Sequence, residues 1–419
     1  MTATAHHEPE AGNLPARAKV AVAAGKVTGA VSRAAGRGSG GVIGGRVALR
    51  LDPELLARLT AGRQCVLVSA TNGKTTTTRL IAEALRANGP VASNAMGANM
   101  PAGITAAMAD DREAVYAVIE VDEKYLPRVA AETRPKAIAL LNLSRDQLDR
   151  AAETRMLAQK WRDGLAGTTA TLIANADDPL VVWAAGSAEH VVWVAAGQSW
   201  MDDAWSCPQC GGVLQRAAQD WHCASCDFRR PTPTWSLDGD ALRDPYGVRI
   251  SLTGLRLPGR ANRANATSAA ATAAVFGVDP HTAVNRMEAV TAVAGRYDTV
   301  QYRGRSLRLL LAKNPAGWLE TFDLVGGQDN PVLLSVNALG ADGTDTSWLW
   351  DVDYTRLAGR PVLVIGQRRM DLAVRLQVAG VDFTVCPDPE SAVDHAPPGL
   401  IDVIANYTAF QQLRQKVGA

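Results

Sequence analysis

The chain has 419 residues, of which 47% are apolar and 20% charged, the balance of an ordinary globular protein long enough for two or three domains. Lys and Arg number 43 against 42 Asp and Glu, a net charge of +1 that argues against a general nucleic-acid binder. No apolar run approaches the length of a membrane-spanning helix, and six cysteines are too few and too unevenly placed for a secreted disulfide scaffold.

In chain order, residues 1–12 are small and polar, without the cationic start and apolar core of a signal peptide. Residues 15–36 are Ala-rich with Arg17, Lys19, Lys26 and Arg33 interspersed, which predicts an amphipathic helix packed on the body or lying on an anionic membrane surface; the lack of Trp or Phe favours packing. The glycine cluster from Gly36 to Gly45 reads as a loop. From Cys65 onward, short apolar runs alternate with helical stretches. CVLVSA, YAVIEVD (116–122), KAIALLNL (136–143), TLIANADDP (171–179) and HVVWVAA (190–196) read as strands of a parallel sheet covered on both faces. Residues 200–256 interrupt this rhythm with cysteines and short polar strands, and a helix returns at Asn262–Phe276. After Gly295, SLRLLLA, PVLLSVN, PVLVIG, DFTVCPD and LIDVIAN repeat the βα pattern in a second, smaller α/β unit. The expected division is a tail and helix at 1–40, an ATPase domain at 41–294 and a C-terminal domain at 295–419.

Ser69-Ala70-Thr71-Asn72-Gly73-Lys74-Thr75 follows a strand and opens a helix. Such a turn aims backbone N–H groups and a helix N-terminus at phosphate. Lys74 would reach the β- and γ-phosphates and Thr75 would offer its hydroxyl to Mg²⁺. Val68 stands where the usual P-loop has its first glycine. Eight lysines against 35 arginines make a lysine here less incidental. Glu120, with Asp122 and Glu123 close behind, ends a strand where a carboxylate can hold Mg²⁺; a solvated acidic loop is the plainer alternative. Cys207-Pro-Gln-Cys210 and Cys223-Ala-Ser-Cys226 have the spacing of a structural zinc ribbon at about 200–235, closed to catalysis because four thiolates leave no open position. Cys65 and Cys386 read as small buried hydrophobes. The acidic, Trp-containing segment Asp342–Asp353 suits an interface or the lip of a site, or simply a loop anchored by two tryptophans.

ATNGKTTTTRLIAEAL, VIEVDE and NLSRDQLDR (142–150) together resemble the central P-loop ATPase domain of the Mur ligases, the peptidoglycan amino-acid ligases. GRANRANATSAAATAA (259–274) is similar to their adenine-side helix, with Asn265 at the purine-contacting position, and GRYD (295–298) to the junction before their Rossmann-like C-terminal domain. The resemblance implies ATP and Mg²⁺ held by Thr71, Asn72, Gly73, Lys74, Thr75, Thr76, Glu120, Asn265 and Arg296. Where the family has a metal-binding histidine this chain has Gln147, and the 1–40 stretch leaves no room for a UDP-sugar domain. Those departures, the four-cysteine insertion, KNPAGWLETF (313–322) and DGTDTSWLWDVDY (342–354) resemble the MurT branch, the ligase-like subunits of lipid II isoglutaminyl synthases.

That resemblance implies ATP-dependent amidation of the D-glutamate α-carboxyl of lipid II through an acyl-phosphate, with ammonia from a GatD-like glutaminase partner, in the cytoplasm at the inner membrane face. It further implies that a C-terminal-domain aspartate completes the partner's Cys–His triad: Asp351, with Asp353 not separable from it by motif. A free-standing ligase of the folylpolyglutamate synthase type is the first alternative, and a P-loop nucleic-acid motor with a zinc ribbon the second. Neutral charge and the lack of helicase-type segments argue against the motor, so no nucleic-acid partner is expected.

Overall fold

The computed structural model describes residues 14–36, 40–94, 98–145, 154–218, 220–291, 297–326, 329–340 and 342–418. Two sheets organise the chain. The first contains β1 (Gln64–Ser69), β2 (Val91–Ser93), β3 (Tyr116–Glu120), β4 (Ala137–Leu140), β5 (Thr171–Asn175) and β6 (Val191–Ala195). A two-stranded ribbon follows, β7 (Leu214–Ala217) and β8 (Asp220–Cys223), before the first sheet resumes with β9 (Trp235–Asp238), β10 (Ala241–Arg243) and β11 (Arg249–Ser251). Its order is β11-β10-β9-β6-β5-β4-β1-β3-β2, parallel from β2 to β9 and antiparallel at the β9-β10-β11 edge.

The second sheet comprises β12 (Tyr297–Tyr302), β13 (Arg305–Leu311), β14 (Val332–Ser335), β15 (Val362–Ile365), β16 (Phe383–Val385) and β17 (Leu400–Ala405). Its order is β12-β13-β17-β14-β15-β16, and only the β12–β13 pair is antiparallel.

The continuous apolar runs become buried parallel strands because side chains alternate between two cores. In β1, Cys65 and Leu67 join one hydrophobic cluster while Val66 and Val68 join the other. Each fully buried aliphatic side chain contributes about 2 kcal/mol by leaving water, so the centre of the sheet is a rigid base for the loops at its carboxyl ends. Cys65 is fully buried, and burial pushes its thiol up to about 12, as befits a packing residue. Cys386 is likewise buried.

Two sequence expectations change. The glycine cluster read as a loop contains the helix Gly41–Leu51, packed on the predicted N-terminal helix, which spans Ala16–Ala34. Glycine disfavours helices through backbone entropy, but here it permits backbone contact that any side chain would block. A Cβ on Gly25 would lie 2.9 Å from the Gly44 carbonyl oxygen, and one on Gly45 would overlap the Ala102 backbone. Packing therefore overrides propensity. The returning helix also starts earlier than expected, at Arg260, and ends at Val275.

Candidate functional site

The loop after β1 enters the helix Lys74–Leu85 through Gly73, whose φ of +83° is open to glycine at little cost. That helix has no side-chain cap, so its first backbone N–H groups face the mouth of the loop. Lys74 is buried; its Nζ donates to the carbonyl oxygens of Ala70 and Thr71 and to Glu123 Oε2 at 3.1 Å. Thr71, Asn72, Thr75 and Thr76 are buried in the same turn.

Strand pairing puts Glu120 opposite Val68, at the same end of the sheet as this loop. Glu120 is 1% exposed; Asn99 donates to its Oε1 at 3.2 Å, while Oε2 is buried with no hydrogen-bond partner. A buried carboxylate oxygen left unpaired is costly, and a divalent cation held jointly with a threonine hydroxyl is a fitting occupant. Burial and then the neighbouring Glu123 raise the Asp122 carboxyl above its ordinary range.

The phosphate loop is fastened on two sides. Asn72 N–H donates to Asn142 Oδ1 at 2.9 Å, Asn142 Nδ2 returns to Asn72 O at 3.0 Å, and Ser144 N–H donates to Thr71 Oγ1 at 3.0 Å. On the other side, Asn72 and Asn314 form a reciprocal amide pair at 3.2 and 3.3 Å. Asn314 Oδ1 also caps the helix Pro315–Val325 by accepting from Gly317 N–H. The phosphate loop is thus hydrogen-bonded to a residue following the second sheet's β13. A cleft of about 140 Å³ lies along this junction, lined by Asn72, Gly73, Thr76, Asn265, Lys313 and Glu320 among others. Asn265 sits directly against Gly73, where an added Cβ would come within 2.7 Å of its Oδ1.

The four cysteines Cys207, Cys210, Cys223 and Cys226 converge, with all four Sγ atoms within 4.8 Å of one another. The Cys207–Cys226 and Cys210–Cys223 sulfur pairs stand 3.7 and 3.5 Å apart, close to the ~3.8 Å edge of a tetrahedral zinc–thiolate site. Gly212 N–H points at Cys210 Sγ and Ser225 N–H at Cys223 Sγ, the polarity a thiolate requires. The donor set therefore fits zinc. Trp221 pins the ribbon to the first sheet by donating from Nε1 to Ala176 O at 3.0 Å. Metal analysis of purified protein should return about one zinc per chain, and replacing all four cysteines with serine should abolish it and destabilise the ribbon.

Asp351 and Asp353, equivalent in the motif, differ in the structure. Asp353 caps the short 3₁₀ helix Tyr354–Leu357 by accepting from Thr355 N–H at 3.1 Å. Asp351 ends the preceding 3₁₀ helix Ser347–Asp351 and pairs with Arg145 Nη1 at 3.3 Å. Arg145 is in turn held by Asp203, which accepts its backbone N–H at 2.8 Å and its Nε. Arg375, buried behind the turn, donates to the carbonyl oxygens of Leu349, Trp350 and Val352 and so fixes the backbone around Asp351. Of the two tryptophans, Trp348 packs on Trp318 while Trp350 is 58% exposed beneath the Arg375 guanidinium.

Asp178 braces the segment beside the phosphate loop. It caps the helix Pro179–Ala185, and its Oδ2 accepts from Leu143 N–H at 2.8 Å, anchoring the segment that reaches Thr71. Complete burial pushes its carboxyl up to about 6. A raised folded-state value means this group's stabilising contribution is full below about pH 4 and is lost as pH rises through about 6. The stability advantage of the wild type over Asp178→Asn should accordingly shrink by about 3 kcal/mol between pH 4 and pH 7, measured by denaturant unfolding across that range. A constant difference would contradict it.

The structure brings together Thr71, Asn72, Gly73, Lys74, Thr75, Thr76 and Asn265 and sets Glu120 at the neighbouring strand end. The cysteine cluster and the Asp351 turn are separate centres. Arg296 and Gln147 lie outside the described residues. Sequence reasoning missed Asn142, Ser144, Asn314 and Arg145 as individual residues, although each stands in or beside a motif singled out from the sequence.

Two family models match the chain, the Mur ligase middle domain at residues 68–204 and the MurT ligase C-terminal domain at 311–410. The lipid II isoglutaminyl synthase (glutamine-hydrolyzing) subunit MurT of Staphylococcus aureus (strain COL) is 30% identical, over 94% of this chain and 96% of that protein. The chain belongs to the MurT family. The subunit of the same name from Streptococcus pneumoniae (strain ATCC BAA-255 / R6) is 29% identical over 90% of this chain and 92% of its own length. Among solved structures, this MurT-family chain shares its fold with a pseudomurein peptide ligase type C from Methanothermus fervidus (TM-score 0.66, 16% identity, 87% of this chain and 80% of that one). It shares it also with Mycobacterium tuberculosis folylpolyglutamate synthase complexed with ADP (TM-score 0.60, 14% identity, 87% and 93%). The Mur ligase α/β fold is therefore common to enzymes of different substrates, and the MurT-specific match rests on sequence.

Proposed function

We propose that this chain is the ligase subunit of a lipid II isoglutaminyl synthase. It converts the D-glutamate α-carboxyl of lipid II to the amide, using ATP and ammonia released from glutamine by a GatD-like partner, at the inner face of the plasma membrane. Residues 41–294 act as the ATPase domain and 295–419 as the C-terminal domain. The observation that carries this reading is the near-full-length likeness to named MurT subunits.

The reaction follows from the residues in order. ATP enters the cleft at the junction of the two sheets, its phosphates against the N–H groups of Gly73 to Thr76 and the Lys74 ammonium, its base near Asn265. Thr75 and Glu120 would hold Mg²⁺, which would neutralise the triphosphate. A carboxylate oxygen of the substrate attacks the γ-phosphorus and ADP leaves, giving an acyl-phosphate. Ammonia then attacks the acyl carbon and inorganic phosphate departs with that carboxylate oxygen, leaving the amide. Lys74 offsets the negative charge on the transferring group, the term expected to be largest in such a site. Cys207, Cys210, Cys223 and Cys226 would hold zinc as a structural brace beside Asp203 and Arg145. With those four clustered and Cys65 and Cys386 buried, the glutamine-attacking thiol is assigned to the partner. Asp351, rather than the locally engaged Asp353, is the residue offered to the partner's histidine.

The test is a nitrogen-source assay. Purified chain should amidate lipid II with ammonium, and with glutamine only once the glutaminase partner is added. Glutamine-driven amidation by the chain alone would overturn the two-subunit reading. ATP-dependent addition of a free amino acid would favour the folylpolyglutamate-type alternative.

A further inference from the structure

The helix Ala16–Ala34 buries a single face. Ala18, Ala21, Gly25, Gly29 and Ser32 are buried, with the glycines against the helix Gly41–Leu51. At the helical period the opposite face carries Val20, Val27 and Val31, which are 62%, 65% and 63% exposed. Lys19, Lys26 and Arg33 recur every seventh residue and form a parallel row along one flank of the valines. The second helix adds exposed Ile43, Arg46 and Arg50. Lys26 also approaches Asp110 at 3.5 Å, an exposed pair that water screens.

Charge separates this face from the rest of the molecule. Residues 16–51 hold seven Lys and Arg and no Asp or Glu, although the whole chain carries 43 against 42. The remainder of the protein is therefore net negative, whereas residues 16–51 carry basic residues alone. A protein partner would be expected to meet aromatic and methionine anchors; this face offers small aliphatics between cations, so its attraction to an anionic lipid surface is carried chiefly by the cations. No helix among the described residues is long and apolar enough to cross a membrane, so the contact is with its surface.

The helix pair also has a short path to the phosphate site. Gly45 packs its backbone on Ala102, in the helix Pro101–Asp110. Just before that helix, Asn99 donates to Glu120 and its carbonyl accepts from Asp122 N–H.

We propose that the outer face of the N-terminal helix pair, built on the Val20–Val27–Val31 row and the Lys19–Lys26–Arg33 row, docks the enzyme on an anionic bilayer. This rests on the lipid-linked substrate reading for its purpose, but not for its test. Each cation near an anionic leaflet strengthens attachment about fivefold, so three together are worth about a hundredfold.

The experiment is flotation of the full chain, in complex with its glutaminase partner, on vesicles of phosphatidylcholine alone or mixed with phosphatidylglycerol. The wild type should float with the mixed vesicles and not with the neutral ones. Lys19→Gln/Lys26→Gln/Arg33→Gln should weaken that binding about a hundredfold, and Val20→Ser/Val27→Ser/Val31→Ser should release the protein at lower salt. Both variants should retain ammonium-driven amidation of lipid II in detergent. Wild type that floats with neither vesicle, or a charge variant that floats as well as wild type, overturns the proposal. So does loss of the glutaminase partner by the variants with vesicle binding unchanged, which would make this a protein interface. Vesicle binding without any amidation would instead sink the functional reading and leave the docking surface standing.

Discussion

Lys74→Ala should reduce lipid II amidation at least about a hundredfold, with ammonium and with glutamine alike. In the proposed reaction both nitrogen sources share the carboxyl-activation step, and Lys74 is the buried cation at the entrance to the phosphate-loop helix. Its position is tightly specified, since the ammonium is held by the Ala70 and Thr71 carbonyl oxygens and by Glu123. Removing it leaves Glu123, itself only 11% exposed, without that partner, so folding must be checked separately. Lys74→Ala/Glu123→Gln removes the stranded charge. If that double variant is as stable as wild type yet equally inactive, the loss belongs to phosphate chemistry. Recovery of activity in the double variant would assign Lys74 a structural role instead.

Asp351→Asn should separate the two nitrogen sources. Glutamine-driven amidation should fall at least about a hundredfold, within the roughly ten-thousandfold penalty seen when an aspartate orienting a catalytic histidine becomes an amide. Ammonium-driven amidation should stay within about threefold of wild type, because among the described residues Asp351 bonds Arg145 and not the phosphate loop, which is reached one residue away through Ser144 and Thr71. Asp353→Ala is the control. It removes a cap on Thr355 N–H, costing about 1 kcal/mol of stability without changing the preference between nitrogen sources. Equal loss of both activities in Asp351→Asn would move Asp351 from the proposed triad into the ligase reaction or into the Arg145 contact. Arg145→Ala tells these last two apart: if the ion pair is what matters, it should reproduce the Asp351→Asn phenotype.

The readable part of the sequence was the part governed by local physics. Continuous apolar runs such as CVLVSA and PVLVIG announce buried parallel strands because both faces of each sheet are covered. The phosphate turn announces itself because only a glycine at positive φ before a helix N-terminus can present its amides in that way. The cysteine pairs announce a metal site through spacing alone, and the four sulfurs do converge.

What escaped depends on distant partners. The helix Gly41–Leu51 carries no legible helical pattern because Gly44 and Gly45 are explained only by the Gly25, Gly29 and Ala102 backbones they meet. Asn72 and Asn314 pair across 242 positions in the chain, and no periodicity marks that relation. Asp351 and Asp353 stand two residues apart in one motif, yet Asp353 caps its own turn while Asp351 reaches out to Arg145 from the first sheet's loops and stays partly exposed. β2, with three residues, is too short to leave a pattern. Arg145 was invisible because its role arises only where the ribbon's flank, through Asp203, meets the Asp351 turn.

The central claim is that this chain activates the D-glutamate α-carboxyl of lipid II as an acyl-phosphate. It is tested most directly with lipid II whose α-carboxyl carries heavy oxygen. During ammonium-driven amidation by the purified chain, mass spectrometry of the released inorganic phosphate should find one carboxyl-derived oxygen in each phosphate formed. Phosphate free of the label, alongside normal amide formation, would contradict the account.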